Sequence, residues 1–341
     1  MLKQKMNRFF YRCKSVFNKM MPNYEDIKNM PKSFMLFLNS WWQVLLVVSF
    51  LVVFLYYPLG GWIVNDIDTN TEYEINNKNP EQSAVVAMNA FLINREVNEK
   101  IWTPNLPFFF PSYFLDNMPN FQLGIVSAVS NITSAMAKKL EKTIANGEEM
   151  HLEEAAKLLK YSGTIWMFSP DNSLVPVPSA NSQYKRARKH LLKYNQELLD
   201  GSVVYYRNPA DMTYFLRKIG SDLAKNSSQL DVHIREESSS WFDMKSDDVF
   251  YFAKGKVYAY YLIIRALGSD YKDILVANNA YATWTQLLKT LEDAALLDPF
   301  FIRNGKQESL WAPNHLLIMA YYELKAASFC NKIIQELSQN K

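Results

Sequence analysis

The sequence predicts a mainly α-helical protein, with an N-terminal transmembrane helix followed by a multi-helix bundle domain that carries one or two short β-hairpins. Three observations indicate this class. An uncharged apolar run lies near the N-terminus, helical spacing of apolar residues continues from residue 84 towards the C-terminus, and two short segments carry turn signals instead. The 341 residues are 49% hydrophobic and 21% charged, which suits a large core. A slightly negative mean hydropathy excludes a transporter with many spans.

The apolar run is WWQVLLVVSFLVVFLYY, residues 41–57, and with its apolar flanks it predicts a membrane anchor over 34–64. This length supplies the ~20 residues that a bilayer-spanning helix needs. Aromatic residues at both ends of the run are expected at the two membrane interfaces; they are Trp41, Trp42, Tyr56, Tyr57 and Trp62. A buried core helix and a cleaved signal peptide are the alternatives. Core helices seldom contain so long an apolar run, and no small-residue cleavage site follows it.

The charge distribution predicts the direction of the span. Residues 1–40 contain eight Lys and Arg against two acidic residues, whereas the rest of the chain is slightly acidic. Basic residues beside a span remain on the cytoplasmic side, so 1–33 are predicted to be cytoplasmic and the main domain to lie across the membrane. Cys13 and Cys330 then lie on opposite sides and cannot pair with each other. The slightly acidic main domain gives no general attraction for nucleic acid.

Residues 65–83 are polar and lack a periodic pattern, which predicts a tether or an arm lying on the domain that follows. The helical domain is expected over 84–341. Apolar spacing, with Pro in a first turn and Gly after a last turn, predicts its helices; they are Ala84–Asn98, Pro119–Asn146, Leu152–Tyr161, Ser182–Leu199, Pro209–Glu237, Asp247–Leu267, Ala280–Leu297 and Pro313–Leu337. The second half of the Asp247 helix, VYAYYLIIRAL, is apolar on nearly all sides and is expected at the centre of the bundle.

Two segments interrupt the helical pattern. Thr164–Pro178 contains TIWMF and SLVPVP around the turn signal SPDN, and Phe300–Trp311 contains Asn304-Gly305 between two short runs. Asn-Gly between extended runs is a strong hairpin signal. These two segments are the predicted β-hairpins.

Four carboxylates lie among aromatic residues and are the weak catalytic candidates: Asp116, Asp243, Asp247 and Asp248. Burial beside aromatic rings can raise the pKa of an acid towards a catalytic value. The simpler explanation is that Asp116 precedes a helix and Asp247 and Asp248 begin one, where carboxylates stabilise the helix dipole. The four histidines form no complete metal-binding pattern, so no metal site and no cofactor are predicted.

A basic cluster lies within YKRARKHLLKY, residues 184–194. Its members are Lys185, Arg186, Arg188, Lys189 and Lys193. An apolar stripe on the opposite side of the predicted helix leaves these cations in solvent. They could bind anionic headgroups or envelope polymers, or they could simply form a solvated face, which is the commoner case.

NLPFFFPSYFLDNMPNFQLG, residues 105–124, places five Phe around three Pro. Polar residues are interleaved with the aromatic ones, no Lys or Arg lies within the segment, and it joins two predicted helices. The preferred interpretation is that Phe108–Phe110 and Phe114 fill the core of the bundle. A partner-docking ridge and an insertion into the membrane are the alternatives.

Several stretches resemble a family of uncharacterised proteobacterial single-span inner-membrane proteins, a DUF family of unknown function. These stretches are YYPLGGW (56–62), the segment 94–124, LLKYSGTIWMF (158–168), the segment 184–201 and WFDMKSDDVFYFAKGKVYAYYLIIRALG (241–268). The resemblance implies a Gram-negative inner membrane with the domain in the periplasm. It assigns no reaction, ligand or catalytic residue to any position.

The sequence therefore predicts a membrane-anchored periplasmic interaction or scaffold protein of the bacterial envelope. Its expected partners are the lipid bilayer, through one span, and other envelope proteins; nucleic acid is not expected, and the oligomeric state is open. One alternative is a hydrolase of envelope glycan or lipid that uses paired carboxylates. A second alternative is a lipid-binding module with an apolar cavity.

Overall fold

The computed structural model describes residues 32–74, 79–140, 150–168, 175–237, 245–299, 302 and 314–339. The chain divides into two compact units, Met1–Tyr56 and Tyr57–Lys341. Across the described ranges the secondary structure consists of ten α-helices, one π-helical turn and one 3-10 turn. The mainly helical class is thus confirmed.

Helix α1, Lys32–Val64, contains the apolar run. Within the described chain, its segment Val44–Val64 is the helix that is long and apolar enough to cross a membrane. The apolar side chains from Val44 to Phe54 are about half exposed or more, because they do not pack into a protein core. A buried core helix is therefore not supported. Of the predicted interfacial aromatic residues, Tyr57 is half-buried and the others are exposed.

The second unit is a bundle of helices. Its helices are α2 (Ala84–Asn94), α3 (Asn117–Leu140), α4 (His151–Leu159), α5 (Ala180–Asp200), α6 (Pro209–Glu237), α7 (Lys245–Asp270), α8 (Lys272–Ala277), α9 (Tyr281–Ala295) and α10 (His315–Gln339). The π-helical turn Arg95–Glu99 extends α2, and the 3-10 turn Pro111–Phe114 precedes α3.

Helix α7 is the central helix, as its apolar composition predicts. Every residue from Ala253 to Ile264 is buried. Helices α3 and α7 approach each other closely at two glycines, since a Cβ atom at Gly124 would overlap the Phe252 carbonyl oxygen and one at Gly255 would overlap the Phe121 carbonyl oxygen. The close approach of α3 and α7 therefore requires glycine at both positions.

Local capping sets the ends of two helices that border the sites described below. The Ser83 side chain accepts a hydrogen bond from the Val86 amide at the start of α2, and the Ser179 side chain accepts one from the Ser182 amide at the start of α5. Such caps satisfy amide groups that the first turn of a helix leaves unpaired. Helix α5 ends at Gly201, whose φ of 75° lies in the left-handed region that glycine favours.

The predicted β-hairpins are not supported, because none of the described residues is assigned to a β-strand. In the first segment, backbone hydrogen bonds join the Val177 amide to the Met167 carbonyl (2.8 Å) and the Ala180 amide to the Ile165 carbonyl (2.9 Å). Pro176 and Pro178 have no N–H to extend this pairing into a ladder. The second segment, Phe300–Trp311, lies outside the described residues except for Ile302.

Residues 66–73 lie as an arm against the helical bundle. Lys100 forms an ion pair of 3.2 Å with Asp66, the Tyr258 hydroxyl donates to the Asn70 carbonyl at 2.8 Å, and Arg265 donates to the Thr71 carbonyl at 2.5 Å. These contacts are made by Lys100, which follows the π-helical turn, and by side chains of α7. The segment after α1 is therefore held to the domain at several points.

Candidate functional site

The acidic candidates lie where α3 and α7 begin. Asp247 and Asp248 are in the first turn of α7, and Asp116 immediately precedes α3. The Asn120 side-chain amide donates to the Asp248 carboxylate at 2.7 Å and to the Asp116 backbone carbonyl at 2.9 Å. The structure thus brings Asp116 and Asp248 together through Asn120. Asp243 lies outside the described residues.

Asp248 is the acidic candidate with a perturbed pKa. Burial raises the pKa of its carboxyl group, the negative charge of Asp116 raises it further, and the hydrogen bond from Asn120 opposes both effects. Asp248 also lines a cleft of about 420 Å³ that includes His233 and Glu236. Most side chains around this cleft are half-buried or exposed. The arrangement places a carboxyl group with a raised pKa in a cleft that remains accessible to water.

The predicted basic cluster lies on α5. Lys185, Arg186, Lys189 and Lys193 are exposed, and Arg188 is half-buried. The opposite face of α5 is buried, with Tyr184, Ala187 and Leu191 in the core. The amphipathic prediction for this helix is therefore confirmed, and the cations face solvent.

A second basic feature is a cleft of about 720 Å³ between α3, α4 and α6. Four lysines and one glutamate line it together with apolar side chains: Lys138, Lys139, Lys157, Lys160 and Glu153, with Ala137, Met150, Ala156 and Tyr214. Lys157 forms an ion pair of 3.3 Å with Glu153, and Lys139 one of 3.8 Å with Asp211. Lys139 lies over the Tyr214 ring at 5.0 Å. A ligand that suits this lining combines an anionic group with an apolar portion.

The preferred sequence interpretation is wrong for Phe108–Phe110, which do not fill the core, whereas Phe121 at the end of the Phe-rich segment is buried. These rings are exposed, with 66% of Phe108 and 46% of Phe109 accessible to solvent. The side chain of Phe114 lies outside the described residues. Two segments carry exposed residues and meet where the Phe109 ring contacts the Trp166 ring. We call these exposed residues together the aromatic surface; they are Phe108, Phe109, Phe110, Tyr113, Trp166, Met167 and Phe168.

The interleaved polar residues explain why the rings face outward. Asn105 and Ser112, the polar residues that flank Phe108–Phe110, are buried and face the protein. The Asn105 side-chain amide donates to the Ile165 carbonyl at 2.9 Å and to the Asn181 side chain at 2.8 Å. These bonds hold the Phe-rich segment to the segment that carries Trp166. The Phe109 and Trp166 rings meet edge to face at 6.0 Å.

The aromatic surface is joined to the last turns of α1. The Tyr57 hydroxyl donates to the Phe108 carbonyl at 3.2 Å. Pro111 packs directly on Gly60, where a Cβ atom would lie 2.5 Å from the proline ring, and Leu115 packs beside Gly61. The C-terminal end of the candidate span thus contacts the Phe-rich segment, through the backbone of Phe108 and the side chains of Pro111 and Leu115.

Sequence inspection missed several buried charged residues. Arg95 and Glu96 are both buried and form an ion pair of 2.6 Å, and the Arg95 guanidinium also donates to the Tyr258 hydroxyl at 2.6 Å. Glu323 is fully buried, and burial raises the pKa of its carboxyl group well above the usual range. Adjacent Arg and Glu ordinarily indicate a solvent-exposed turn, so the pattern carried no signal of burial.

Comparison with known families gives one match. A family described as "Uncharacterized protein conserved in bacteria (DUF2333)" matches residues 104–239 and 211–339. The match covers most of the helical domain and confirms the predicted resemblance to a bacterial family of unknown function. It begins after the anchor and after the stretch 56–62. No curated protein and no solved structure matches the chain.

Proposed function

Because the chain belongs to the DUF2333 family of uncharacterised proteins conserved in bacteria, we propose that it is a single-pass inner-membrane protein whose periplasmic helical domain serves as an interaction or scaffold module of the envelope. The observation that carries the proposal is helix α1. Its apolar side chains are exposed along Val44–Phe54, and its last turns belong to the same compact unit as the helical domain. An exposed apolar helix of this length is stable in a bilayer and costly in water.

The orientation follows from the basic residues that precede the span. Eight Lys and Arg within residues 1–40 favour a cytoplasmic N-terminus. The helical domain then lies in the periplasm. The exposed cations of α5 and the aromatic surface support a role in binding, because both present chemistry that recognises a partner.

Reporter fusions at the C-terminus test this orientation. An alkaline phosphatase fusion, active outside the cytoplasm, is expected to be active, whereas a β-galactosidase fusion, active in the cytosol, is expected to be silent. As a matched control, replacing the basic residues before the span with Gln and placing Lys after Val64 is expected to lower the phosphatase signal. An active β-galactosidase fusion to the unchanged protein contradicts the proposal.

Crosslinking in cells tests the interaction role. A photoreactive amino acid at Lys189, on the exposed face of α5, is expected to give a discrete adduct with an envelope component in the membrane fraction. The control position is Leu324, which is 57% exposed on α10. A smear of equal intensity at both positions contradicts a specific contact through α5.

The hydrolase remains a second candidate because of Asp248. Its raised pKa, its bond from Asn120 and its place in a cleft with His233 and Glu236 favour general acid chemistry. The test compares the unchanged protein with Asp248→Asn on purified cell-wall glycan and phospholipid. Turnover by the unchanged protein that falls at least tenfold in Asp248→Asn, with Asp200→Asn as the control, supports this candidate. Equal rates in the variants, or no turnover by the unchanged protein, exclude it.

The lysine-lined cleft favours the lipid-binding alternative. Its four lysines and apolar wall suit an acyl chain with an anionic head. Native mass spectrometry of the purified full chain is expected to show a retained anionic lipid that is reduced in Lys138→Gln/Lys160→Gln and unaffected in Lys185→Gln. Loss of lipid in both variants to the same degree contradicts binding in this cleft.

A further inference from the structure

We propose that the aromatic surface is a second membrane contact. It inserts into the interfacial region of the leaflet in which the C-terminal end of α1 lies, and it holds the helical domain on the bilayer. The inference rests on the proposed anchoring by α1 and goes beyond it, because a single span alone leaves the domain free to move away from the membrane. The occupant of the surface is lipid: headgroups and the first carbons of the acyl chains.

The position of the surface follows from its contacts with α1. The end of a transmembrane helix lies at the headgroup level, where Trp and Tyr are enriched. Tyr57 contacts the Phe108 carbonyl, and Gly60 contacts Pro111. A loop that touches these residues lies at the same depth as they do. The rings of Phe108–Phe110 therefore reach the interface without any rearrangement of the domain.

The chemistry of the surface suits this depth. It presents exposed Phe, Trp, Tyr and Met side chains, while Asn105 and Ser112 are turned into the protein. Large contiguous apolar patches are uncommon on the water-exposed surface of monomeric proteins and mark interaction sites. Burial of apolar area in the interface stabilises such a contact by roughly 25 cal/mol per Å².

The surface is also held in a fixed shape. The indole N–H of Trp102 donates to the Gly163 carbonyl at 2.9 Å, beside the two bonds from Asn105 to the neighbouring segment. The Phe108 and Phe109 rings meet edge to face at 5.5 Å. A surface that is ordered before it binds loses little conformational freedom on insertion. Its two segments are therefore expected to enter the interface as a unit.

The basic cluster begins close to this surface along α5. The Ala180 amide donates to the Ile165 carbonyl, next to Trp166, and Lys185 follows five residues later. At about 1.5 Å per residue, Lys185 is about 8 Å from that point along the helix axis. The nearest cations are therefore expected to strengthen the contact with an anionic bilayer. With a neutral bilayer, the contact depends on the rings alone.

The experiment measures the depth of single side chains in the full chain reconstituted into nanodiscs. Cysteine is introduced by Phe109→Cys or Phe168→Cys in a Cys13→Ser background and labelled with an environment-sensitive fluorophore. Cys330 is fully buried, and burial raises the pKa of its thiol to about 12, so it labels poorly. The control sites are Leu324→Cys, exposed on α10, and Phe50→Cys, within the span. The quencher is a lipid with a nitroxide near its headgroup.

The expected result is quenching at positions 109 and 168 that is several-fold greater than at position 324. At position 50 the emission wavelength of the fluorophore reports the anchor itself, because an apolar environment shifts it to the blue. If the emission at position 50 is blue-shifted relative to position 324 while quenching at 109 and 168 equals that at 324, the second contact is excluded and the anchor stands. If the emission at position 50 equals that at 324, the anchor fails, and with it the proposal. Repeating the measurement in phosphatidylcholine and in phosphatidylglycerol separates the ring contribution from that of the cations.

A surface variant provides an independent check. Phe108→Ser/Phe109→Ser/Trp166→Ser removes exposed rings and leaves the buried bonds of Asn105 in place. It is expected to reduce quenching at Phe168→Cys to the level at Leu324→Cys without changing the thermal unfolding midpoint by more than a few degrees. The matched control is Tyr281→Ser/Tyr321→Ser, which removes rings that are exposed on α9 and α10. Undiminished quenching at position 168 in the surface variant overturns the proposal. Loss of quenching in the unchanged surface when a purified protein partner is added also overturns it, because the surface then binds protein and not lipid.

Discussion

The Tyr57 hydroxyl, near the end of α1, donates a hydrogen bond of 3.2 Å to the carbonyl oxygen of Phe108, in the Phe-rich segment. These residues are 51 positions apart in sequence. The bond joins the end of the candidate span to the aromatic surface of the helical domain. Gly60 and Pro111 pack against each other one turn further along α1.

Gly60→Val is expected to separate these two elements. A Cβ atom at Gly60 would lie 2.5 Å from Pro111, so the Phe-rich segment has to move. Overpacking of this kind costs about 1–3 kcal/mol. The measurement is the thermal unfolding midpoint in nanodiscs, combined with the rate of proteolysis at Phe108–Phe110. Leu59→Val, at an exposed neighbour on the same helix, serves as the control. Equal behaviour of the two variants contradicts the contact.

Gly255→Ala is expected to destabilise the centre of the bundle. The added methyl group would overlap the Phe121 carbonyl oxygen, and backbone on both α3 and α7 has to shift. The expected loss of unfolding free energy is about 1–3 kcal/mol or more. Gly220→Ala is the comparison, because the nearest atom to its Cβ is the Cys330 Cβ at 3.1 Å. Denaturant titration should show a small change of either sign for Gly220→Ala; a similarly small change for Gly255→Ala would be inconsistent with the close crossing.

Arg95→Met is expected to leave Glu96 buried without its ion-pair partner. The guanidinium lies 4.8 Å from the Tyr258 ring and forms the 2.6 Å ion pair with Glu96. Removal of one partner from a buried pair costs about 3–5 kcal/mol. The double variant Arg95→Met/Glu96→Gln is expected to recover part of this loss, which a double-mutant cycle measures. Lys157→Met, which breaks exposed pairs with Glu153 and Glu154, should leave the midpoint unchanged. No recovery in the double variant argues against the pair.

Glu323→Gln is expected to change how stability depends on pH. Burial raises the pKa of Glu323 well above its ordinary 4.5; hydrogen bonding by Asn226 and the charge of Lys256 oppose the rise, and the charge of Asp222 adds to it. Because the folded-state pKa is the higher one, the contribution of Glu323 is fully present below pH 4.5 and is lost as pH rises through the folded-state pKa. Gln cannot ionise, so the variant gains stability over the unchanged protein as pH rises from 4.5 towards the folded-state pKa.

The measurement is the free energy of unfolding from pH 5 to pH 8. The gain is expected to grow by up to about 1.4 kcal/mol per pH unit until the folded-state pKa is passed. Burial also raises the pKa of Asp270, so the Glu323→Gln variant itself still loses some stability as pH rises. Glu81→Gln, at an exposed position, should show no such gain. A pH-independent difference for Glu323→Gln contradicts ionisation of this group.

The sequence alone determined most of the helices and their buried faces, although it did not indicate α8, Lys272–Ala277. Apolar spacing predicted the helices from 84 onward, the exposed cations of α5 and the central place of α7, because burial against a neighbouring helix repeats with the period of the helix. The uncharged run predicted the helix that contains Val44–Val64. The predicted hairpin at Thr164–Pro178 is not supported, because its described residues, 164–168 and 175–178, form no strand and two prolines remove amides that a ladder requires.

Only the tertiary structure decided which way the irregular segments face. A Pro-rich segment has no period, so the composition of residues 105–115 fitted a core as well as a surface. The bonds from Asn105 to Ile165 and Asn181 turn its polar side into the protein and its rings outward. Likewise, α7 contributes the Tyr258 that meets Arg95, more than 160 positions away. Such pairings depend on how elements far apart in the sequence pack together, which the local sequence does not indicate.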